Sequence, residues 1–242
     1  QIKVEYLGTN FVGWQIQKNG ISVQGVLERV LSEFFKNKII ITGSGRTDSG
    51  VHAIEQSAHF KVKKIILNKN NIINSLNFFL RKYSISILDI KKKSKTFHAR
   101  HSAKKRMYRY FIINRTGSLS IDKNKAWHIR KKLDLSLMNK GAKILKGKKD
   151  FSTFRSSSCT AKSPIKTLNE VKIKKKKETI QITFASKSFL QQQVRSMVGC
   201  LKYLGEKKWT LKKFKQAMLS KNRANCAPPA PAHGLYLIKV NY

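Results

Sequence analysis

Hydrophobic positions follow two different periods along this chain. Residues 2–7 alternate between apolar and polar, which predicts a β-strand, and apolar residues recur at helical spacing from Val23 to Phe35 after a capping Ser22. The same patterns predict further strands at residues 39–41, 56–62, 85–90, 106–113, 170–173, 179–185 and 235–240. They predict further helices at residues 71–80 and 189–204 and after the capping residues Asp134 and Thr210.

The order of these elements divides the chain into two halves. Strands and helices alternate through residues 1–103, and a similar alternation begins again in residues 104–242. This pattern predicts an α+β fold in which each half forms a sheet backed by helices. No low-complexity linker separates the halves, so we expect them to pack on each other with a cleft between them.

The charge of the chain narrows its possible partners. Lys and Arg number 51 against 12 Asp and Glu, a formal net charge of +39, and hydrophobic residues make up 40%, enough for a sizeable core. A charge this positive indicates a polyanionic partner, either a nucleic acid or an anionic membrane surface. Compositional drift toward lysine is an alternative explanation for part of the excess.

Several classes of protein are disfavoured by the sequence. No apolar run approaches the length of roughly 18 residues that a membrane helix needs, and the first residues do not resemble a signal peptide. Cys159, Cys200 and Cys226 are odd in number and widely spaced, which disfavours a disulfide framework. His98 and His101 lack a third ligand at metal-binding spacing. We therefore expect no metal and a reducing, cytoplasmic location.

One acidic residue lies where chemistry is plausible. Asp48 is in the glycine-flanked loop 43–50, two residues after Arg46 and four before His52. The glycines allow close approach of a ligand, and a nearby guanidinium keeps a carboxylate ionised, as a nucleophile or base requires. The alternative is an Asx-turn in which Asp48 bonds only its own backbone. Spacing alone favours neither reading, and His52 is expected to order the loop through a hydrogen bond.

Six ordered motifs then resemble those of one family. The segment Gly45-Arg46-Thr47-Asp48-Ser49-Gly50-Val51-His52-Ala53 is similar to the signature loop of the tRNA pseudouridine synthase A family. The other five motifs, which extend over nearly the whole chain, are residues 11–15 with 22–24, 97–100 with 108–110, 150–155, 189–199 and 230–237. Six motifs in the same order are far more specific than any one of them.

The resemblance implies a fold and an activity. It implies the pseudouridine synthase fold, in which two similar halves, each an antiparallel sheet backed by helices, face a central RNA-binding cleft. It implies an isomerase that converts uridine to pseudouridine at positions 38, 39 and 40 of the tRNA anticodon stem-loop, without a cofactor or a metal. It also implies that the partner is tRNA and that the protein is a homodimer.

The resemblance also assigns roles to four residues. Asp48 matches the catalytic aspartate, which attacks uracil C6 or ribose C1′ or abstracts a sugar proton. Tyr108 matches the tyrosine that stacks on uracil and relays a proton, although ordinary strand packing is an alternative. Arg195 matches the arginine that pairs with the aspartate, although a solvated helix arginine is the commoner case. Arg46 resembles a loop arginine that contacts RNA. Gln193 departs from the family, where many relatives carry Met.

Two other classes of function compete with this one. A non-catalytic RNA-binding or RNA-chaperone protein would explain the charge, but it has no need of the Asp48 loop. A protein of the membrane surface would need a helix with lysines opposite an apolar face. The helix that begins after Thr210, with Lys212, Lys213 and Lys215, is the one weak candidate for such a surface.

Overall fold

The computed structural model describes residues 1–62 and 68–242 of the chain. In these residues it is a mixed fold of α-helices and mostly antiparallel strands, which confirms the mixture expected from the sequence. The strands are β1 Ile2–Tyr6, β2 Thr42–Gly43, β3 His52–His59, β4 Ile85–Ile90, β5 Lys105–Asn114, β6 Trp127–Ile129, β7 Gly147–Asp150, β8 Ile165–Lys176, β9 Thr179–Ser186 and β10 Leu235–Asn241. The helices are α1 Val23–Phe35, α2 Lys69–Leu80, α3 Leu135–Leu145, α4 Gln193–Gly205 and α5 Leu211–Leu219.

The first of two compact units contains residues 1–104 and 236–242. Its strands lie in the order β4-β1-β3-β10, and β2 pairs with β3. The β3–β10 pair is parallel, with Tyr236 opposite His52 and Leu237 opposite Ala53, whereas the pairs that β1 forms are antiparallel. Residues 236–242, which the order of elements predicted to lie in the second half, lie in the first unit.

Helix α1 forms where the spacing predicted it. The hydroxyl of Ser22 accepts a hydrogen bond from the Gly25 N–H and caps the helix, which satisfies one of the unpaired amides of its first turn. Leu27 and Leu31 on the apolar side are fully buried. The helix ends at Phe35, after which Lys36 adopts a left-handed conformation with φ of 50°.

The strand predicted at residues 39–41 does not form. Ile39 and Ile41 are buried as expected, but their backbone amides donate to side chains of α1 rather than to a neighbouring strand. The Ile39 N–H donates to Ser32 Oγ at 2.9 Å, and the Ile41 N–H donates to Glu28 Oε1 at 2.9 Å. The backbone amides of this buried apolar run thus bond to side chains instead of to a neighbouring β-strand. The hydrophobic pattern alone does not distinguish these two cases.

The second compact unit contains residues 105–235. Its strands lie in the antiparallel order β5-β9-β8-β7, and β6 pairs in parallel with the end of β5. The strands predicted at residues 170–173 and 179–185 are confirmed, and they pair as a hairpin whose first strand is longer than expected, with a turn at Lys177, where φ is 51°. Lysines 174–177 around that turn are exposed, as expected of a solvated turn.

Helix α4 begins four residues later than predicted. Gln192 has a φ of 59°, a left-handed conformation that interrupts a right-handed helix, so the segment from Phe189 to Gln192 precedes the helix. Gln193 is fully buried, and its Oε1 accepts a hydrogen bond from the Leu190 N–H at 2.8 Å. Its Nε2 has no hydrogen-bond partner among the described residues. Gln193, the residue that departs from the family pattern, therefore stabilises the start of the helix through its side chain.

Helix α5 packs its apolar face inside the second unit. Thr210 caps the helix by accepting from the Lys213 N–H, and Phe214, Ala217 and Met218 are buried. Because these side chains are buried inside the unit, they are not available to bind a membrane surface, as the membrane-surface hypothesis requires. Within the described parts of the chain, no helix is long and apolar enough to cross a membrane.

Candidate active site

Asp48 lies in the loop that joins β2 to β3 in the first unit. Its carbonyl oxygen accepts a hydrogen bond from the Val51 N–H at 3.1 Å, which closes a four-residue turn. Gly50 has a φ of 75° in that turn, a conformation that favours glycine. Asp48 itself is half-buried on this sharp turn.

A second segment of backbone passes directly beside the loop. Gly13 and Asp48 form an isolated antiparallel bridge, and the Trp14 N–H donates to the Thr47 carbonyl at 3.0 Å. Gly13 has a φ of 119°, and a Cβ added there would lie 2.8 Å from the Thr47 oxygen. The approach of the two segments therefore requires glycine at this position.

Hydroxyl groups fix the residues on either side of Asp48. The Thr47 Oγ1 and the Tyr6 hydroxyl are hydrogen-bonded at 2.8 Å in a buried position. The Ser49 hydroxyl donates to the Phe11 carbonyl at 3.1 Å. Both chain neighbours of the carboxylate are thus tied to other segments, which holds the turn in one conformation.

A buried glutamine fixes the start of the same loop. Gln56 on β3 is fully buried, and its Oε1 accepts from the Ser44 hydroxyl at 2.7 Å. Its Nε2 donates to the Gly45 carbonyl at 2.9 Å. One side-chain amide therefore satisfies both a donor and an acceptor of the loop, as a buried amide must to avoid a desolvation cost.

His52 orders the loop from its other end, as expected. The ring is buried, and its Nδ1 accepts a hydrogen bond from the Gly8 N–H at 2.8 Å. It also lies 4.6 Å from the Tyr236 ring, measured between centroids. Arg46, in contrast, is exposed, and its guanidinium makes no hydrogen bond or ion pair with the residues that the structure describes. Its position suits contact with a polyanion.

Tyr108 and Tyr110 lie on β5 of the second unit. Tyr108 packs its ring edge-to-face against Phe189, with centroids 5.2 Å apart, and is 8% exposed. Tyr110 is fully buried, and its hydroxyl donates to the Pro231 carbonyl at 2.7 Å. Burial raises the pKa of Tyr110 well above its usual value, against the opposing charge of Arg195. Tyr108 and Tyr110 share one face of β5, and Tyr110 is wholly in the core while Tyr108 keeps some access to solvent.

Backbone contacts orient Arg195 on α4. Its Nε donates to the Ala230 carbonyl at 2.8 Å, and the Ala230 N–H donates to the Arg195 carbonyl at 3.0 Å. One turn along the helix, a Cβ added to Gly199 would lie 2.0 Å from the Pro228 oxygen. The segment through Pro228 and Ala230 therefore packs directly on the helix backbone, and the arginine side chain is held by it.

The four predicted residues fall into two pairs. Arg46 and Asp48 belong to the first unit, and Tyr108 and Arg195 belong to the second. The supporting residues were not identified from the sequence. The sequence pattern placed Gln56 only within a strand, and its role in the loop is visible only from its contacts. The pairing of Ala230 with Arg195 joins positions 35 residues apart, and no local pattern indicates it.

The histidines near residue 100 were weighed as possible metal ligands. The rings of His98 and His101 lie 4.3 Å apart, and those of His59 and His98 lie 5.0 Å apart. His59 Nδ1 accepts from the Ala99 N–H, and His98 Nδ1 accepts from the Arg100 N–H. Within residues 1–62 and 68–242, no group of three or more His, Cys, Asp or Glu residues is arranged to hold a metal ion.

Comparisons with known proteins agree with the motifs. The chain matches a family model described as tRNA pseudouridine synthase over residues 2–102 and 142–242. Relatives named tRNA pseudouridine synthase A from Pelagibacter ubique, Parvibaculum lavamentivorans and Afipia carboxidovorans are 60%, 42% and 41% identical to it. Each similarity covers 100% of this chain and 98% of the relative. Because the matches extend over the whole chain, it belongs to the tRNA pseudouridine synthase family.

Proposed function

We propose that this protein is an isomerase that converts uridine to pseudouridine in tRNA, at positions 38, 39 and 40 of the anticodon stem-loop. The activity follows from membership of the family and from the names of the full-length relatives. The three positions follow from the resemblance of the motifs. The two compact units are then the two halves that the resemblance implies, with the catalytic aspartate supplied by the first.

The observation that carries the proposal is the way in which Asp48 is presented. Its turn is closed by a backbone hydrogen bond and a glycine of positive φ, and both of its chain neighbours are tied to other segments. A half-buried carboxylate fixed in this manner is pre-organised, which lowers the cost of reaching a reactive geometry. A protein that only binds RNA has no need to hold an acid in place on a chain of charge +39.

The chemistry breaks one bond of the nucleotide and forms another. The C1′–N1 glycosidic bond is broken, the uracil rotates, and a C1′–C5 bond forms, with loss of the C5 proton and gain of a proton at N1. The base must leave the helical stack to be reached. The Asp48 carboxylate attacks either uracil C6 or ribose C1′, or abstracts a sugar proton. Each route requires an ionised carboxylate at a fixed position.

The other residues serve this step in distinct ways. The Tyr108 ring offers a face on which uracil stacks, and its hydroxyl relays the proton between C5 and solvent. The Arg195 guanidinium keeps the aspartate ionised and oriented. Arg46, exposed on the same loop as Asp48, contacts the RNA. The homodimer and the cytoplasmic location stay predictions, which sedimentation of the purified protein and cell fractionation test.

A matched pair of acid variants tests the proposed activity. Asp48→Asn and Asp122→Asn each remove one negative charge, and Asp122 is an exposed acid in a turn of the second unit. With an unmodified tRNA transcript, we expect Asp48→Asn to lower the rate of pseudouridine formation at least about a thousandfold. Binding of tRNA stays within about threefold, because the extra positive charge does not weaken it.

The control separates catalysis from charge. Asp122→Asn is expected to convert uridine at the wild-type rate. If Asp48→Asn keeps more than a tenth of the wild-type rate, Asp48 is not the reacting group and the mechanism is wrong. If the wild-type protein binds tRNA but forms no pseudouridine, the alternative of a non-catalytic RNA-binding protein is supported instead.

A further inference from the structure

A cavity of about 470 Å³ lies in the second unit, formed by two short segments. It is lined by the cationic residues Arg155, Lys221 and Arg223 and by the neutral polar residues Ser152, Ser156, Ser157 and Asn222. Three cationic and four neutral polar residues therefore border a common space, and among residues 1–62 and 68–242 no acidic residue lines it. None of these residues has a role in the reaction described above.

The two segments are fixed to each other and to the helices around them. The Thr153 hydroxyl donates to the Ala217 carbonyl at 2.9 Å, which ties the first segment to the end of α5. Arg223 Nη1 donates to the Ser196 hydroxyl at 2.7 Å, which ties the second segment to α4 beside Arg195. The cavity is therefore a built feature of the unit rather than a chance grouping of surface side chains.

Arg155 is the most informative of the three cations. It is half-buried, yet its guanidinium makes no hydrogen bond or ion pair with the described residues. Arg223 uses one nitrogen on Ser196 and keeps its remaining donors. Partly desolvated guanidinium groups whose N–H donors are not used by a carboxylate favour an incoming anion, and their planar fork suits the oxygens of a phosphate.

The neighbouring acid is already committed elsewhere. Asp150 accepts a hydrogen bond from the Ser152 N–H at 2.8 Å. Burial opposes the ionisation of Asp150, but the hydrogen bonds from Ser152 and the charges of Lys221 and Arg155 outweigh it and lower the pKa of this carboxyl. The carboxylate therefore stabilises the serine turn at the edge of the cavity. Its single negative charge does not cancel those of the three cations, so the cavity and its surroundings remain positively charged.

We propose that this cavity is a binding site for backbone phosphate of the substrate tRNA, with Arg155 and Lys221 as its principal contacts. The inference rests on the proposed function for the identity of the polyanion. The positive charge and the serine hydroxyls select a phosphodiester, and the volume accommodates one sugar–phosphate unit rather than a folded base pair. The site positions the tRNA and takes no part in bond breaking.

A matched pair of double variants tests the site. Arg155→Gln with Lys221→Gln removes two charges from the cavity, and Arg130→Gln with Lys131→Gln removes two charges from an exposed stretch of the same unit. We expect the cavity variant to weaken tRNA binding at least about tenfold and to reduce the slope of log affinity against log salt by about two. The loss falls on KM rather than on kcat.

The control and a second probe decide between explanations. The Arg130 and Lys131 variant is expected to bind tRNA within about threefold of wild type. The phosphate site is overturned if both variants lose tRNA affinity equally, or if the cavity variant loses none. The proposed function still stands in either case as long as the wild type forms pseudouridine. Titration with inorganic phosphate at constant ionic strength tests whether the ligand is a free anion instead. If Arg155→Gln abolishes phosphate binding but leaves the affinity for tRNA unchanged, the proposal is also overturned.

Discussion

The Asp48 loop and the Arg195 segment hold their functional side chains in different ways. Around Asp48 the contacts are polar side chains, with a threonine, a serine and a glutamine each bonded to another segment. Around Arg195 the contacts are backbone, with Ala230 paired to it in both directions and Gly199 admitting the Pro228 carbonyl. The acid thus depends on several separable side-chain bonds in addition to the close backbone approach at Gly13, whereas the arginine depends chiefly on the close fit of two segments.

The largest effect expected from this comparison concerns Arg195 itself. Arg195→Ala removes the charge and is expected to lower kcat at least about a hundredfold, because in the proposed mechanism this guanidinium keeps the catalytic carboxylate ionised. Arg195→Lys keeps the charge but loses the planar Nε donor to Ala230, and is expected to lower kcat at least about tenfold. Single-turnover assays on tRNA measure both.

Arg115→Ala, which breaks an exposed ion pair with Glu178, is the control for a lost guanidinium and is expected to keep full activity. If the Arg195→Lys variant is as fast as the wild type, backbone anchoring of this side chain is unnecessary for catalysis. The contrast between the two segments would then have no bearing on the reaction.

Glycine substitutions compare how each segment packs. Gly199→Ala places a Cβ 2.0 Å from the Pro228 oxygen, and Gly13→Ala places one 2.8 Å from the Thr47 oxygen at a φ of 119°. Each is expected to lower the free energy of unfolding by about 2 kcal/mol or more. Gly117→Ala, where nothing lies within 4 Å, is expected to change it by less than about 0.5 kcal/mol. Urea unfolding measures all three, and equal stabilities would contradict the close approaches.

Two single-bond deletions separate positioning from stability. Thr47→Val removes the hydrogen bond to Tyr6 beside Asp48, and Tyr110→Phe removes the bond to the Pro231 carbonyl. Each is expected to lower the free energy of unfolding by about 1 kcal/mol. We expect Thr47→Val also to lower kcat several-fold, because it loosens the loop, while Tyr110→Phe changes kcat less than about twofold. Equal effects on kcat would show that the Thr47 bond has no special link to Asp48.

The smallest expected effect is the pH dependence of stability. The pKa of His59 is lowered chiefly by burial, and that of His233 chiefly by burial and also by the charge of Arg195. These histidines therefore take up protons at a higher pH in the unfolded chain than in the folded chain. Their contribution to the free energy of unfolding is fully present above pH 6.5 and is lost as the pH falls below that value.

A double variant of these histidines checks the assignment. His59→Gln with His233→Gln is expected to flatten the decrease in urea midpoint between pH 7 and pH 5, and each single variant removes the part that belongs to its own unit. A slope that is unchanged in the double variant would place the titrating groups elsewhere.

The sequence predicted the local elements well because their signals are local. The caps Ser22, Asp134 and Thr210 each accept the expected amide. The start of α4 was missed because Gln192 adopts a left-handed conformation, and a glutamine gives no turn signal of the kind that glycine or asparagine gives. The strand at residues 39–41 was wrong because Glu28 and Ser32 satisfy the amides of that run, and a hydrophobic pattern carries no information on such donors.

Some features of the candidate site could likewise be predicted from the sequence, and others could not. The Asp48 loop is contiguous, so its glycines and its motif indicate a site directly in the sequence. Gln56 and Tyr6, which hold the loop, lie in ordinary strand patterns and become visible only through their contacts. The cavity around Arg155 joins two segments about 70 residues apart, and spacing alone does not distinguish this arginine from those that are fully exposed.

The central claim is that Asp48 of this chain forms pseudouridine in the anticodon stem-loop of tRNA. Mapping pseudouridines at single-nucleotide resolution, in tRNA from cells that lack the protein and then regain it, tests this claim most directly. Pseudouridine at positions 38, 39 and 40 is expected to disappear in the deletion, to return with the wild-type protein, and to stay absent with Asp48→Asn. Return of these modifications with Asp48→Asn, or their persistence in the deletion, would contradict the account.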